Sequence, residues 1–154
     1  MRRWLGLVMV FLMVAGLGCA MADLEVQLPE ESRYTVVIPD GMEYDGPGAL
    51  DKASFAYVSD ALGLDIIFSC SDGSQIRYLD DLIPTLEGMG MEEVQPITVQ
   101  NIPMIVYRYT PDDPTDMKCI GYIFQDGNQI QEIAFWYATQ KAADLTKTIM
   151  ESIH

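Results

Sequence analysis

The sequence contains a single histidine, and it is the last residue, His154. A Ser–His or Cys–His nucleophilic pair needs a base held rigidly within hydrogen-bond reach, and a terminal residue is a poor candidate because chain ends tend to fray. Zinc sites of the usual cysteine and histidine type lack ligands for the same reason. The sequence therefore argues against a histidine-dependent hydrolase and against a zinc centre, and it predicts no cofactor.

Basic residues are also scarce. The chain has 9 lysines and arginines against 23 acidic residues, which gives a formal net charge of −14. From Arg33 to Lys147 the basic residues are scattered singly, whereas a nucleic-acid-binding surface needs them clustered to displace counterions from phosphates. Neither nucleic acid nor an anionic lipid surface is expected as a partner. Solubility outside the cell is favoured over a specific basic partner as the explanation of the acidity.

Only one apolar run is long, and it lies at the N-terminus. Arg2 and Arg3 precede an uncharged stretch from Trp4 to Leu17 that is too short for a comfortable bilayer span. Ala20-Met21-Ala22 then fits the A-x-A cleavage preference, so residues 1–22 are predicted to be an export signal cleaved before Asp23. Loss of Arg2 and Arg3 leaves 7 basic and 23 acidic residues, a net charge of −16.

A second interpretation makes the N-terminus a lipid anchor. Leu17-Gly18-Cys19 resembles the end of a lipobox, and Cys19 would then be the lipidated first residue. Gly16 stands where such a motif usually has Leu, so signal cleavage at Ala22 is favoured. An uncleaved membrane anchor is the least favoured alternative.

Cysteine is rare after the predicted cleavage, since only Cys70 and Cys119 remain. An even number of cysteines in an oxidising compartment predicts a disulfide between them, which would stabilise the fold by roughly 4 kcal/mol on the chain-entropy model. The alternative is two buried thiols, because each cysteine lies in an apolar predicted strand.

The mature chain is predicted to form one α+β domain. Residues 23–33 are expected to be a flexible segment and residues 34–154 the domain. Alternating and β-branched residues predict strands at 34–38, 53–58, 64–70, 97–99, 104–109, 119–124 and 129–137. The stretch 53–58 also suits helical spacing, and a strand is favoured only narrowly.

Two helices complete the prediction. Leu79, Leu82, Ile83 and Leu86 share one helical face, and Pro84 should kink or break that helix. Thr139 is predicted to be the N-cap of a closing helix, whose apolar face carries Ala142, Leu145, Ile149 and Ile153. In the last strand, large apolar residues occur among the side chains that point to either face of the sheet, so the strand should be covered on both faces. We therefore expect an antiparallel β-sheet flanked by helices.

The order of these elements resembles the PsbP-like superfamily of small secreted or lipoprotein domains. The residues that carry the resemblance are Ile38-Pro39-Asp40-Gly41, Tyr57-Val58-Ser59 with Leu62-Gly63-Leu64-Asp65-Ile66, Tyr122-Ile123-Phe124-Gln125-Asp126-Gly127, and Ile149-Met150-Glu151-Ser152-Ile153. The chain departs from the family at Gln100-Asn101-Ile102-Pro103, where a turn rich in Asn-Gly is expected. The resemblance implies an α/β/α sandwich and a non-catalytic adaptor or envelope protein, and it supplies no catalytic residues.

Acidic residues offer the remaining candidate sites. Asp112, Asp113 and Asp116 lie in one loop between prolines and are a weak candidate for calcium, although they lack EF-hand spacing. A carboxylate-based hydrolase would need two acids across a cleft, and the sequence singles out no such pair. The sequence thus predicts an exported, non-catalytic protein-binding module. The alternatives are a carboxylate-based hydrolase and a calcium or small-ligand binder.

Overall fold

The computed structural model describes residues 23–47 and 54–154. The strands are β1 Leu24–Gln27, β2 Thr35–Ile38, β3 Glu43–Pro47, β4 Ser54–Ser59, β5 Leu64–Asp72, β6 Glu92–Val99, β7 Ile102–Tyr109, β8 Lys118–Asp126 and β9 Gln129–Tyr137. A 3-10 helix, Leu79–Leu82, leads into α1, Ile83–Gly88, and the closing helix α2 is Gln140–Glu151.

Seven strands form one antiparallel sheet in the order β3-β4-β5-β9-β8-β7-β6, and β1 pairs with β2 in a separate two-stranded sheet. One face of the large sheet packs on α2 and on the β1–β2 pair. Helix α2 contributes Ile149 and Met150 to this contact, and the β1–β2 pair contributes Val26 and Val36. The opposite face packs on α1 and the 3-10 helix. The expected α+β fold, an antiparallel sheet with a helix on each side, is confirmed.

Local signals explain most of these elements. Pro84 stands in the first turn of α1, where its missing N–H is not needed, and the helical stretch changes from 3-10 to α immediately before it. The Thr139 hydroxyl accepts a hydrogen bond from the Ala142 N–H at 3.2 Å, so the predicted N-cap is present. Strand β9 is buried on both faces, as its apolar residues predicted.

The turn that departs from the family pattern is a tight two-residue turn. Val99 pairs with Ile102, and both residues between them have left-handed backbone conformations, with φ of 49° at Gln100 and 65° at Asn101. Such conformations suit the strand twist of a hairpin, although Gln is a rare choice. The Gln100 amide also donates to the Glu151 carbonyl at 2.8 Å, which ties this turn to the end of α2.

Two predictions about the chain ends are corrected. The sequence predicts a flexible segment at 23–33, but β1 lies within it, and Val26 and Leu28 are buried in the core. Pairing with β2 supplies the backbone partners that this short segment could not provide by itself. The terminal residue does not fray either, because the His154 and Thr35 backbones exchange two hydrogen bonds.

Candidate functional site

The sheet face that carries α1 is covered over only part of its width. The helix packs over β6, and its Leu86 joins a cluster with Ile123 and Ile130 of the central strands. On the β4–β5 side the same face lies more open, and Ile67 in the middle of β5 is 38% exposed. We call this side the open face; its outward residues are Ala56, Val58, Asp65, Ile67, Ser69, Glu132 and Trp136.

A groove of about 350 Å³ runs from the open face to the edge of α1. The sheet contributes Ser69, Ile130 and Glu132 to its floor, and α1 with the preceding turn contributes Leu82 and Leu86 to its wall. Most of this lining is apolar, and the Glu132 carboxylate is its charged group. The groove thus combines apolar walls with one negative charge.

Two hydroxyl groups fix the Glu132 side chain. The Tyr107 hydroxyl donates to Oε1 at 2.5 Å, and the Ser69 hydroxyl donates to Oε2 at 3.3 Å. None of the ion pairs found within residues 23–47 and 54–154 includes Glu132. The carboxylate is therefore held in one orientation by neutral donors and has no cation beside it in this part of the chain.

Tyr107 owes its position to Gly121 on the neighbouring strand. The Tyr107 ring fills the space where a side chain at residue 121 would stand, since a Cβ there would lie 2.1 Å from a ring carbon. Burial, followed by the charge of Glu132, raises the pKa of Tyr107 far above its usual range. Tyr107 is therefore a neutral hydrogen-bond donor, which suits a role in positioning Glu132.

Cys119 lies on the same face as Tyr107 but is not an activated thiol. Burial is the main reason that its pKa rises to about 12, and the nearby Glu132 charge adds to the shift. A nucleophilic cysteine needs a thiolate at neutral pH. This arrangement of groups suits binding better than covalent chemistry.

The far end of the open face carries an acid beside two aromatic rings. Asp65 stands opposite Trp136, whose ring meets Tyr109 edge to face with centroids 6.0 Å apart. Partial burial raises the pKa of Asp65, and the charges of Asp60 and Asp45 raise it further, while a backbone hydrogen bond from Ser59 opposes them. An exposed apolar and aromatic surface bordered by carboxylates suits a partner with apolar and basic side chains.

A second groove, of about 440 Å³, lies on the opposite face between β6 and α2. Apolar residues such as Val99, Tyr122 and Met150 line it, and Lys147 and Glu151 stand at its border. Those two residues form an ion pair with each other at 3.7 Å. This groove therefore has no net charge at its border to favour one kind of partner.

The predicted disulfide is wrong. Cys70 stands opposite Gln131 and Cys119 opposite Trp136, so the two side chains point to opposite faces of the sheet, with β9 between their strands. Two strand spacings alone separate their backbones by about 10 Å, beyond the reach of a disulfide. Both side chains are buried, as in the alternative of two buried thiols.

The acidic loop is not assembled into a metal centre. Asp112, Asp113 and Asp116 are all exposed, and no group of three or more metal-ligating side chains occurs in the described part of the chain. Asp113 accepts hydrogen bonds from the Thr115 N–H and hydroxyl, at 2.9 and 2.7 Å, and these bonds lower its pKa. Asp113 thus has a local structural role in the loop, and calcium binding remains a prediction without support from the geometry.

The other sites predicted from sequence lie partly outside the described residues. The residues outside the described part of the chain are Cys19, the alternative lipid attachment point, and Ala20 and Ala22, at the predicted cleavage site. His154 is described, and its Nε2 lies 3.2 Å from the Thr35 hydroxyl and 3.5 Å from a Glu25 carboxylate oxygen. A hydrolytic triad needs the acid on the other ring nitrogen, and here Nδ1 faces the Ser152 carbonyl at 2.8 Å.

Sequence reasoning missed Glu132, Tyr107 and Ser69 as parts of one site. The available signal was a single acid among apolar residues on one face of β9. The residues of that face are Ile130, Glu132, Ala134 and Trp136. A charge among apolar neighbours on a central strand needs a hydrogen-bond partner or a binding role. The partners could not be chosen from sequence because they come from β5 and β7, on either side of the β8–β9 hairpin.

Comparison of the sequence with protein-family models and with curated proteins finds no match. Among solved structures, the fold is similar to cyanobacterial PsbP (CyanoP) from Synechocystis sp. PCC 6803, with a TM-score of 0.64 and 12% identity over 90% of this chain and 95% of that one. It is also similar to the Saccharomyces cerevisiae Ran-binding protein Mog1p, with a TM-score of 0.59 and 14% identity over 88% of this chain and 96% of that one.

A third similar structure comes from Bacteroides thetaiotaomicron, with a TM-score of 0.59 and 13% identity over 79% of this chain but only 44% of that one. These likenesses establish that the chain has a PsbP-like fold, as its sequence pattern predicted. Within the described residues, neither helix combines the length and the apolar character needed to cross a bilayer.

Proposed function

We propose that this protein is an exported, non-catalytic module that binds another protein through the open face of its large sheet. The observation that carries the proposal is the partial coverage of that face, where Ile67 is 38% exposed beside the half-buried Ala56, Val58 and Trp136. Apolar and aromatic side chains grouped on an exposed sheet surface are typical of protein-binding sites.

The fold comparisons are compatible with this function. Mog1p, one of the structural neighbours, is named as a Ran-binding protein, so the same fold serves protein binding elsewhere. Export is supported by the N-terminal sequence, in which Arg2 and Arg3, the apolar run and Ala20-Met21-Ala22 follow the order of a secretory signal. An exported binding module needs solubility. The chain has 9 basic and 23 acidic residues, and loss of Arg2 and Arg3 would leave a net charge of −16, which would contribute to that solubility.

A carboxylate-based hydrolase is the second candidate, and the raised pKa of Asp65 is the observation in its favour. The acid that would act with it on the open face is Glu132. Asp65 stands opposite Trp136, four residues along β9 from Glu132, so the two backbone positions are about 13 Å apart along the strands and about 5 Å apart across them, or about 14 Å in all. Glycosidases hold their two carboxyl groups about 5 to 9.5 Å apart, which weighs against this pair.

Site-specific photo-crosslinking tests the proposed function. A benzoylphenylalanine in place of Ile67 should yield a discrete crosslinked polypeptide in the native host. The same probe in place of Lys141, on the exposed side of helix α2, should not. Trp136→Ala in the Ile67 probe protein should weaken the product. Equal crosslinking from both positions, or none from Ile67, would contradict the proposed binding surface.

A further inference from the structure

We infer that the groove beside α1 receives an arginine or lysine side chain of the partner, with Glu132 as its counter-charge. This inference rests on the protein-binding function proposed above. The open face would hold the partner's backbone and apolar side chains, and the groove would hold its basic side chain. The proposal thereby names both the chemistry of the partner and the residue that selects it.

The state of Glu132 is the first argument. Within the part of the chain that the structure describes, its carboxylate belongs to no ion pair, and it receives hydrogen bonds from the neutral hydroxyls of Tyr107 and Ser69. A carboxylate has about four acceptor sites, so two hydrogen bonds leave room for a guanidinium or ammonium group. The fixed orientation of Glu132 lowers the entropy cost of forming that contact.

The shape of the groove is the second argument. Its volume is about 350 Å³, and the apolar side chains of Leu82, Leu86 and Ile130 line the approach to Glu132. Arginine and lysine carry an aliphatic stem that packs on apolar surface while the charged head meets an acceptor. The groove therefore fits the two parts of a long basic side chain.

Charge is the third argument. Glu132, Asp65 and Asp60 lie on or beside the open face, and among residues 23–47 and 54–154 no lysine or arginine belongs to its outward residues or to the groove lining. Such a surface attracts a basic partner and repels an acidic one. The second groove, bordered by Lys147 and Glu151, lacks this preference.

Peptide display tests the inference. Random 12-residue peptides on phage would be selected against the purified protein, and the binding of selected peptides would be measured by fluorescence anisotropy. We expect enrichment of arginine or lysine beside apolar residues. Glu132→Gln should weaken binding by about tenfold, because the neutral amide keeps an oxygen for Tyr107 but loses the charge.

Two controls separate the groove from general acidity. Asp144→Asn removes the same charge from an exposed site on α2 and should change affinity less than twofold. Replacing the arginine of the peptide with neutral, isosteric citrulline should weaken binding to the wild type by about tenfold and to Glu132→Gln much less. Circular dichroism and thermal unfolding would establish that Glu132→Gln keeps its fold.

Several results would overturn the inference: selection of no peptides, selection of peptides without basic residues, or equal losses for Glu132→Gln and Asp144→Asn. If peptide binding or the Ile67 crosslink persists in Glu132→Gln but is lost on disruption of the open face with Val58→Asp, only the groove assignment fails. If the Ile67 probe also captures nothing, the proposed function fails with it.

Discussion

Gly121 and Tyr107 form a packing pair in which the absence of one side chain makes room for another. A Cβ on residue 121 would lie 2.1 Å from a carbon of the Tyr107 ring, far inside van der Waals contact. The ring is nearly buried and its hydroxyl reaches Glu132, so it has little freedom to move aside. The orientation of Glu132 thus depends on a glycine in the adjacent strand.

We predict that Gly121→Ala lowers the free energy of unfolding by about 2 kcal/mol, because overpacking a tight core typically costs 1 to 3 kcal/mol. Gly88→Ala is the control, since a Cβ there meets nothing within 4 Å. In a Tyr107→Leu background the cost of Gly121→Ala should fall by more than half, since the clashing ring is gone. Urea unfolding of the four variants and the wild type measures these differences, and additive costs would contradict the proposed contact.

Asp65 gives a prediction about pH. Burial, followed by the charges of Asp60 and Asp45, raises its pKa above the ordinary 3.8, so ionisation of this group opposes folding. Its destabilising effect is absent at pH values below 3.8 and is fully present once the pH exceeds the raised value in the folded protein.

Asp65→Asn should therefore raise the free energy of unfolding at pH 7, by less than about 1 kcal/mol because solvent and salt screen the charges. At pH 3 the variant and the wild type should be nearly equal. Denaturant unfolding at the two pH values provides the measurement, with Asp144→Asn as a control that should show no such gain. A larger gain at pH 3 than at pH 7 would reverse the assigned sign.

At the scale of the elements, β1 is an addition that the sequence pattern does not predict, and it pairs with the predicted strand β2. Val26 of β1 is only 4% exposed, while Leu24, two residues earlier on the same strand, is 43% exposed. Contacts far along the chain hold this region: the Ser32 hydroxyl donates to Asp126 at 2.7 Å, and the buried Gln131 amide donates to the Pro29 carbonyl at 3.1 Å. The segment 24–36 is therefore anchored to the core of the fold through its buried residues Val26, Leu28 and Val36.

Val26→Ala should lower the free energy of unfolding by about 2 kcal/mol, the usual value for removing buried methyl groups from a well-packed site. Leu24→Ala is the matched control on the same strand and should cost less than about 0.5 kcal/mol, because its side chain is largely exposed. Thermal or urea unfolding of the two variants compares them directly. Equal costs would indicate that β1 does not contribute to the core.

The elements that could be predicted are those with strong local signals. Strand β9 and its hairpin to β8 follow from alternating apolar residues and the turn at Gly127, whose φ is 63°. The break at Pro84 and the cap at Thr139 follow from side-chain chemistry within one helical turn. In each case the information lies within a few residues of the element it determines.

The elements that could not be predicted depend on distant partners. Strand β3 is largely polar, and it forms only because β4 offers it an edge. The Glu132 cluster is of the same kind, because Ser69, Tyr107 and Glu132 meet only after β5, β9, β8 and β7 have aligned in register. The disulfide prediction failed for this reason too, since cysteine count carries no information about which face of a sheet each cysteine occupies.

At the scale of the whole molecule, the few basic residues are partly used in holding the fold together. Arg33 pairs with Asp126 at 2.9 Å and Arg108 with Glu93 at 2.7 Å, whereas most of the 23 acidic residues have no such partner within the described residues. The surface is therefore negative overall, and the open face is one place where negative charges border apolar surface. A basic, partly apolar partner satisfies both features.

The placement of the cysteines leads to a prediction about their oxidation state in the folded protein. Cys70 and Cys119 are buried on opposite faces of a sheet whose central strand separates them, so an oxidising compartment offers them no route to a bond with each other in the folded state. The high pKa of Cys119, about 12, also slows its reaction with oxidants.

We predict that a reductant leaves the unfolding temperature unchanged, within about 1 °C. Removal of a native disulfide from a small secreted domain costs about 2 to 5 kcal/mol, so the loss of a disulfide would lower the unfolding temperature by several degrees. Unreduced protein alkylated in denaturant should carry label at both Cys70 and Cys119 in peptide mapping, while alkylation of the folded protein should leave Cys119 largely unlabelled. A crosslinked peptide containing both cysteines would contradict the strand register itself, because no rotation of side chains can join two opposite faces of one sheet.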